Sequence, residues 1–322
     1  MDAEKLLQAF TSEEHQEIAA ALPVKIIQAQ AERLGLIAAN AGETATQAAI
    51  KEILHNESLE AKAASYLNPE ADLNVEQQLK IMSEFWGTLS RHQLPELNPD
   101  QITSLEAAVS EAAPGQRIMP TPLLKFHERK SVAEHAKTLP KTSFNDNLDA
   151  LWTPDESWIF GKLLRNPEST VKEDGRTYGL RYKAPNGEIV SLDDYITAMK
   201  QAGQAVGDDV VWVFPVIDVR QKSPRQYARA SELHAQVVPA VTPDALLTMQ
   251  LLHQVAGTSN PNWEVDFANE AVYELDKKGD PKALVRVASV YWHPGNRHVR
   301  LDLWRADFRD GDFGVRVAES GL

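Results

Sequence analysis

The feature that most constrains the fold is a change of residue pattern along the chain. The first 115 residues contain four of the sixteen Gly and one of the seven Trp, and their apolar residues recur at helical spacing. The clearest run steps by four and three residues through Val75, Leu79, Met82, Trp86 and Leu89, which places all five on one helix face. We therefore predict that residues 1–115 form an acidic all-helical module with Met82 and Trp86 in its core.

Residues 116–144 differ from that module in charge and in Pro content. Pro stands at positions 114, 120, 122 and 140, and six Lys and Arg stand against two Asp and Glu. Because Pro favours extended backbone and cannot donate to a sheet, we predict a Pro-rich basic connector whose residues 118–123 cross the surface. Residues 124–138 are predicted to form a helix, either a solvated linker or an arm for an acidic partner, including the N-terminal module.

Residues 145–322 alternate helix-start signals with strand-like runs. Residues that favour helix N-termini stand at Thr153, Ser191, Ser223 and Thr242. Pro185-Asn186-Gly187 is typical of a hairpin turn. A buried strand is predicted over residues 210–219, and three antiparallel strands over residues 283–292, 297–305 and 313–317. The fold class is therefore predicted to be α+β: the helical module, then an α+β domain with a mostly antiparallel sheet.

The charge of the chain is negative and unevenly distributed. The formal net charge is −13, and residues 1–115 carry 18 Asp and Glu against 7 Lys and Arg. Such a surface repels nucleic acid and anionic lipid, so we expect no nucleic-acid partner and no membrane partner. The longest apolar stretch, residues 210–217, is much shorter than the roughly 18 residues of a membrane span. The sequence has no Cys, which suits a reducing cytoplasm and excludes thiol chemistry.

Signatures of common cofactor and metal sites are missing from the sequence. It contains no GxGxxG, GxxxxGK[ST], GxSxG or HExxH motif and no EF-hand loop. His127 with His135, and His293 with His298, are the His pairs closest in sequence, and neither has the i, i+4 spacing of a helical zinc site. We therefore expect no cofactor and no metal.

A first candidate site lies where the buried strand ends and a helix is predicted to begin. A helix N-terminus at Ser223 would present free N–H groups to an anion, and basic side chains would surround it. Asp218 could orient an Arg or act as a base. The alternative is a strand-end ion pair beside solvated Arg side chains. The candidate anion-binding residues are Asp218, Arg220, Lys222, Ser223, Arg225 and Arg229, with Arg225 and Arg229 on one helix face.

A second candidate site is the outward face of the terminal sheet. Alternation along residues 297–305 sends Val299, Leu301 and Leu303 to one face. The other face carries the candidate binding residues His298, Arg300, Asp302 and Trp304, which Arg316 joins from the next strand. Aromatic side chains with Arg are typical of a binding surface, whereas an ordinary solvated sheet face is the alternative.

Two functions follow from these candidates. In the first, the protein is a non-catalytic cytoplasmic binding or scaffold protein, whose sheet face or basic connector binds another protein. In the second, it is an enzyme that acts on an anionic phosphate or carboxylate substrate at residues 218–229, with His293 or His298 transferring protons. The missing motifs favour binding, and the partner expected is another protein or a small anionic ligand.

Overall fold

The architecture is given by a computed structural model. It describes residues 59–90, 92–110, 115–139, 149–155, 157–219, 226–258, 265–293, 295, 298–315 and 318–319. The chain separates into two compact units, Met1–Lys62 and Ala63–Leu322. The elements named below all belong to the second unit. Whether residues 1–115 fold as a module, with boundaries at 115 and 145, stays a prediction.

The described part of the second unit contains helices and strands in nearly equal measure. Residues 63–67 are helical, and the further helices are α1 (Val75–Leu89), α2 (Pro99–Ser110), α3 (Phe126–Ala136), α4 (Ile159–Arg165), α5 (Leu192–Gln201), α6 (Ala230–His234) and α7 (Pro243–Val255). The strands are β1 (Gln116–Ile118), β2 (Thr121–Pro122), β3 (Asp149–Trp152), β4 (Thr170–Glu173), β5 (Arg176–Lys183), β6 (Ile189–Val190), β7 (Ala205–Val206), β8 (Trp212–Val213), β9 (Val216–Asp218), β10 (Ala228–Arg229), β11 (Val265–Leu275), β12 (Pro281–His293), β13 (His298–Arg305), β14 (Arg309–Asp310), β15 (Phe313–Gly314) and β16 (Ala318–Glu319). The predicted α+β class is confirmed.

Helix α1 follows the predicted pattern. It begins after Asn74, whose side chain accepts a hydrogen bond from the Gln77 amide while the Gln77 side chain accepts one from the Asn74 amide. This capping box satisfies two amides that would otherwise lack partners. Met82 and Trp86 are fully buried, which confirms the prediction that they belong to the core.

The expected surface strip is buried. Residues 115–122 are all buried, because β1 pairs with β9 and β2 pairs with β8. Helix α1 packs on this strip: the Trp86 indole donates to the Pro120 carbonyl at 3.1 Å, and Ile118 donates to Gln78 Oε1 at 2.9 Å. The prediction of an extended surface crossing at residues 118–123 was therefore wrong. The extended conformation is correct, but its polar groups are satisfied by strands and helix side chains rather than by water.

The main sheet has eight strands in the order β3-β13-β12-β11-β5-β4, with β6 paired to β5 and β15 paired to β11. The predicted hairpin between β5 and β6 and the antiparallel pairing of β12 with β13 are confirmed. The sheet is mixed, however, because β3 pairs in parallel with β13 and β15 pairs in parallel with β11. A mostly antiparallel sheet was therefore the wrong expectation. Parallel pairs need distant connections, which local sequence patterns do not show.

The strand predicted over residues 210–219 is divided into two. Strand β8 ends before Pro215 and β9 begins after it, and the two strands belong to different sheets. Pro lacks the N–H that a continuous ladder needs, so the chain changes sheets there. Residues 212–219 are all buried, as the apolar composition predicted.

Helix α7 forms the centre of the unit, with every residue from Pro243 to Val255 buried. It begins as predicted, with the Thr242 hydroxyl accepting from the Ala245 amide and Pro243 in the first turn. Ser191 caps α5 in the same way. The helix predicted from Thr153 begins only at Ile159, and Ser223 lies outside the described residues.

Removal of the Trp86 side chain should cost more stability than removal of Trp304. Trp86 is fully buried and meets Phe85 and Trp212 edge to face, so Trp86→Ala should lower the free energy of unfolding by about 3 to 5 kcal/mol. Trp304 is half-buried, so Trp304→Ala should lower it by about 1 to 2 kcal/mol. Urea unfolding of both variants measures the difference, and a larger loss for Trp304 would contradict it.

Stability should fall in acid because of one buried histidine. His234 is buried with Nδ1 3.0 Å from the Ala268 carbonyl, and burial lowers the pKa of His234 to about 4. The unfolded chain takes up this proton near pH 6.5 and the folded protein does not, so folding loses up to about 3 kcal/mol between pH 7 and pH 4. His234→Asn should remove this part of the decline, as urea unfolding across that range would show. His135→Asn, at an exposed position, is the matched control and should leave the decline unchanged.

Candidate functional site

A cavity of about 470 Å³ opens between the start of α3, the end of α4, the start of α5 and the segment before β8. Its rim includes the exposed side chains of Lys125, Glu168, Asp193 and Asp209. Its floor is formed by buried residues of α3, β5, α7 and β11, of which the polar members are Arg129, Tyr182, Thr242, Asp244 and Glu270. We call this space the Glu270 cavity, after the most deeply buried acid in its floor.

An ion cluster holds the floor together. Arg129 donates through Nε to Asp244 Oδ1 at 2.7 Å and through Nη2 to Asp244 Oδ2 at 3.1 Å. The same Nη2 donates to Glu270 Oε2 at 3.4 Å. Asp244 also accepts from the Leu124 amide and lies in the first turn of α7, where the helix dipole favours a negative charge. Asp244 is therefore the principal ion-pair partner of Arg129.

Glu270 reaches the floor through an irregularity in β11. Phe267 pairs with Ser289 and Ala271 with Val287, so three residues of β11 stand opposite the single residue Ala288 of β12. Bulges of this kind re-aim side chains and are common beside functional sites. On its other side, Glu270 pairs directly with Tyr182 of β5, and the Tyr182 ring stacks on Tyr195 of α5 with centroids 5.2 Å apart.

One oxygen of Glu270 has no hydrogen-bond partner. The residue is fully buried, and although Oε2 accepts from Arg129, Oε1 accepts no hydrogen bond of normal geometry from the described residues. The Tyr182 hydroxyl interacts with the same carboxyl group. Buried polar atoms are nearly always satisfied, and one left without a partner costs about 1 to 3 kcal/mol. This atom is the feature of the cavity that most needs an explanation.

Burial also determines the protonation of the cluster. It raises the pKa of Glu270, and the like charge of Asp244 adds to this effect, while Arg129 and a hydrogen bond from Tyr182 oppose it. Burial raises the pKa of Asp244 as well, against the opposing influence of Arg129. Burial lowers the pKa of Arg129, but the two carboxylates outweigh it and the net shift is upward. The guanidinium therefore stays charged, and Glu270 takes up a proton more readily than an exposed Glu does.

The candidate anion site is not assembled as predicted. Asp218 ends the buried strand β9, and Arg229 lies in strand β10, so Arg229 does not follow Arg225 along one helix face. Strand β10 pairs with β14, a contact that local sequence does not show. The other members, Arg220, Lys222, Ser223 and Arg225, lie outside the described residues. Anion binding at this turn stays a prediction.

The structure confirms the alternation along β13 but not the predicted neighbour strand. Val299, Leu301 and Leu303 are buried on one face, as expected. The strand at Phe313 pairs with β11 rather than β13, and Arg316 lies outside the described residues. Whether Arg316 joins this face stays a prediction.

The opposite face of β13 is partly covered. Arg300 donates to His298 Nε2 at 3.0 Å and to the Tyr291 hydroxyl at 3.3 Å, and it lies over the Trp152 ring. His298 is buried and stacks on His293, and Asp302 and Trp304 are half-buried. Trp304 stacks on Phe308 at 5.3 Å and meets Phe313 edge to face, so it is not the free projecting surface that alternation suggested. Partner binding on this face stays a prediction.

Sequence reasoning found the helix that carries Arg129 but missed the site. Helix α3 matches the predicted helix over residues 124–138, yet Arg129, Val132 and Ala136 are buried, so it is not a solvated linker. Its Arg129 pairs with Asp244 and Glu270. One signal was available: Glu270 stands inside an otherwise apolar strand, where a charged residue needs a partner or a function.

Within the described ranges, no group of three or more His, Asp and Glu is placed to hold a metal ion, and no helix has both the length and the apolar character needed to cross a membrane. No family model matches the chain, and neither a curated protein nor a solved structure matches it. The chemistry of the cavity residues is therefore the basis for assigning a function.

Loss of Arg129 should destabilise the protein in a pH-dependent way. Arg129→Met leaves two buried carboxylates without their cation, so we expect a loss of about 3 to 5 kcal/mol at pH 8. The raised pKa values of Asp244 and Glu270 mean that the folded protein binds protons more tightly than the unfolded chain does. Relative to the wild type, the variant therefore regains stability as the pH falls, and the loss should be smaller at pH 5 than at pH 8. Urea unfolding at both pH values measures it.

The matched control removes a cation from an exposed pair. Lys200 lies 3.2 Å from Asp208, whose side chain is fully exposed, so Lys200→Met should cost at most about 0.5 kcal/mol. A loss for Arg129→Met that is equally small, or that grows as the pH falls, would contradict the assigned role of the cluster.

Proposed function

We propose that this protein is a non-catalytic binding protein that holds a small organic molecule in the Glu270 cavity. The observation that carries the proposal is Oε1 of Glu270, a buried oxygen of a residue in the cavity floor that accepts no hydrogen bond of normal geometry from the described residues. A ligand that satisfies this atom removes the cost of leaving it unpaired. The free energy that the unpaired oxygen costs the unliganded protein therefore contributes to the affinity for the ligand.

The size and lining of the cavity support a small ligand. Its volume of about 470 Å³ lies within the range of about 300 to 1,000 Å³ that is typical of small-molecule sites. Such sites combine an apolar lining with a few polar groups that fix the orientation of the ligand. The apolar lining here comes from Leu123, Leu124, Phe126, Leu164, Leu192, Ile196, Val210 and Val211.

The shape of the site favours a small molecule over a protein partner. The most buried group of the site lies at the floor of a concave space, beneath a rim of exposed side chains. Protein partners bind mainly through broad surfaces of about 800 Å² on each side. A small molecule fits such a concave space, and the expectation of binding rather than catalysis, which rests on the missing motifs, supports the same assignment.

The test is a binding screen that does not favour any ligand class in advance. A mixture of small primary amines, alcohols and carboxylates is offered to the full chain, and binding is followed by ligand-observed NMR and thermal melting. We expect at least one class to bind. At 100 times its dissociation constant, such a ligand adds about 2.7 kcal/mol of stability.

Two substitutions on α5 locate the binding. Ile196 lines the cavity, so Ile196→Trp should fill it and weaken binding at least tenfold. Thr197 is the next residue, is exposed and does not line the cavity, so Thr197→Trp should leave binding unchanged. Absence of binding by every class, or equal binding by the wild type and Ile196→Trp, would overturn the proposed function.

A further inference from the structure

The charges around the Glu270 cavity are unbalanced. Six acidic and three basic side chains line it. At its floor, the two carboxylates of Asp244 and Glu270 share the single guanidinium of Arg129. Asp244 takes two hydrogen bonds from that guanidinium, and Glu270 takes one longer contact. The floor therefore lacks one positive charge when both carboxylates are ionised.

On the basis of the proposed function, we infer that the ligand is a primary amine with an apolar body, whose ammonium group pairs with Glu270. The ammonium would donate to Oε1 at about 3 Å, the usual length of a charge-assisted N–H···O bond. It would supply the missing positive charge and satisfy the unpartnered oxygen. A single ammonium group would therefore account for both the missing positive charge and the missing hydrogen bond.

Other charged ligands fit this floor less well. A carboxylate or phosphate would meet a net negative lining, and its approach to Glu270 would be repelled in a medium of low dielectric. A divalent cation needs several oxygen or nitrogen ligands, whereas the described residues place no group of three or more acids and histidines together. An ammonium needs only a few acceptors in hydrogen-bond reach, and its remaining N–H groups are free to meet water or other acceptors.

The apolar residues that line the cavity favour a ligand with an apolar body. Phe126, Leu192 and Ile196 line the cavity and are half-buried, so each leaves apolar surface uncovered. An alkyl or aryl group attached to the ammonium would cover this surface, at about 25 cal/mol for each Å² removed from water. The chemical class is therefore an arylalkyl or alkyl primary amine rather than a highly charged polyamine.

The test compares three probes that share one body. Phenethylamine, phenethyl alcohol and 3-phenylpropionate differ mainly in the charge of the head group, and their affinities for the full wild-type chain are measured by titration calorimetry. We expect the amine to bind at least tenfold more tightly than the alcohol, and the carboxylate to bind more weakly than both. This comparison needs no variant, so it holds even where a substitution disturbs folding.

Two charge-removing variants assign the effect to one side chain. Glu270→Gln keeps the shape of Glu270 and removes its charge, and it should weaken the amine at least tenfold while leaving the alcohol within about threefold. Glu168→Gln removes an exposed rim charge and should change the affinity of the amine by less than threefold. An effect of Glu168→Gln as large as that of Glu270→Gln would overturn the role of Glu270.

The outcomes separate this inference from the proposed function. If the alcohol or the carboxylate binds as tightly as the amine, and Ile196→Trp abolishes that binding, the cavity is a binding site but the ligand is not an amine. If no probe and no member of the wider screen binds, both the inference and the proposed function are overturned. Preferential binding of the amine that is lost in Glu270→Gln supports both.

Discussion

The contact of Arg129 with Asp244 and Glu270 is the constraint on which much of the second unit depends. It joins α3 to the start of α7 and to β11, across 115 and 141 residues of chain. Each of these ions would cost several kcal/mol to bury alone, so none of the three can be placed in the core without the others. The cluster thereby holds a basic, Pro-rich segment inside the protein, although its composition is typical of a linker.

The same constraint shapes the surface of the cavity. Exposed pairs such as Lys200 with Asp208 contribute little and impose no geometry on the fold. The buried cluster is different, because its unequal numbers of positive and negative groups leave Glu270 with an unsatisfied oxygen beside an open volume. A feature that weakens the unliganded protein is also the feature that would recognise a ligand, which is how stability and binding commonly conflict at functional sites.

Local patterns predicted local structure well. Helical spacing placed Met82 and Trp86 in the core, hydroxyl caps placed the starts of α5 and α7, and alternation along β13 identified its apolar buried face. Each of these features depends on residues within one or two turns or along one strand. The placement of Arg229 was missed for the same reason: a helix carrying both Arg225 and Arg229 was expected, whereas Arg229 lies in β10, which is formed by pairing with the distant β14.

The sequence by itself determined the α+β class, the position of several elements and the burial of their apolar faces, because periodicity and capping act through neighbouring residues. Only the tertiary structure decided the parallel pairing of β3 and β15, the burial of residues 115–122 and the meeting of Arg129, Asp244 and Glu270. Those contacts join segments that are far apart in the chain. No local sequence pattern shows which buried charged residue pairs with which other one. The candidate site consists of such contacts. Its residues can be read from the sequence, but only the tertiary structure shows that they lie together.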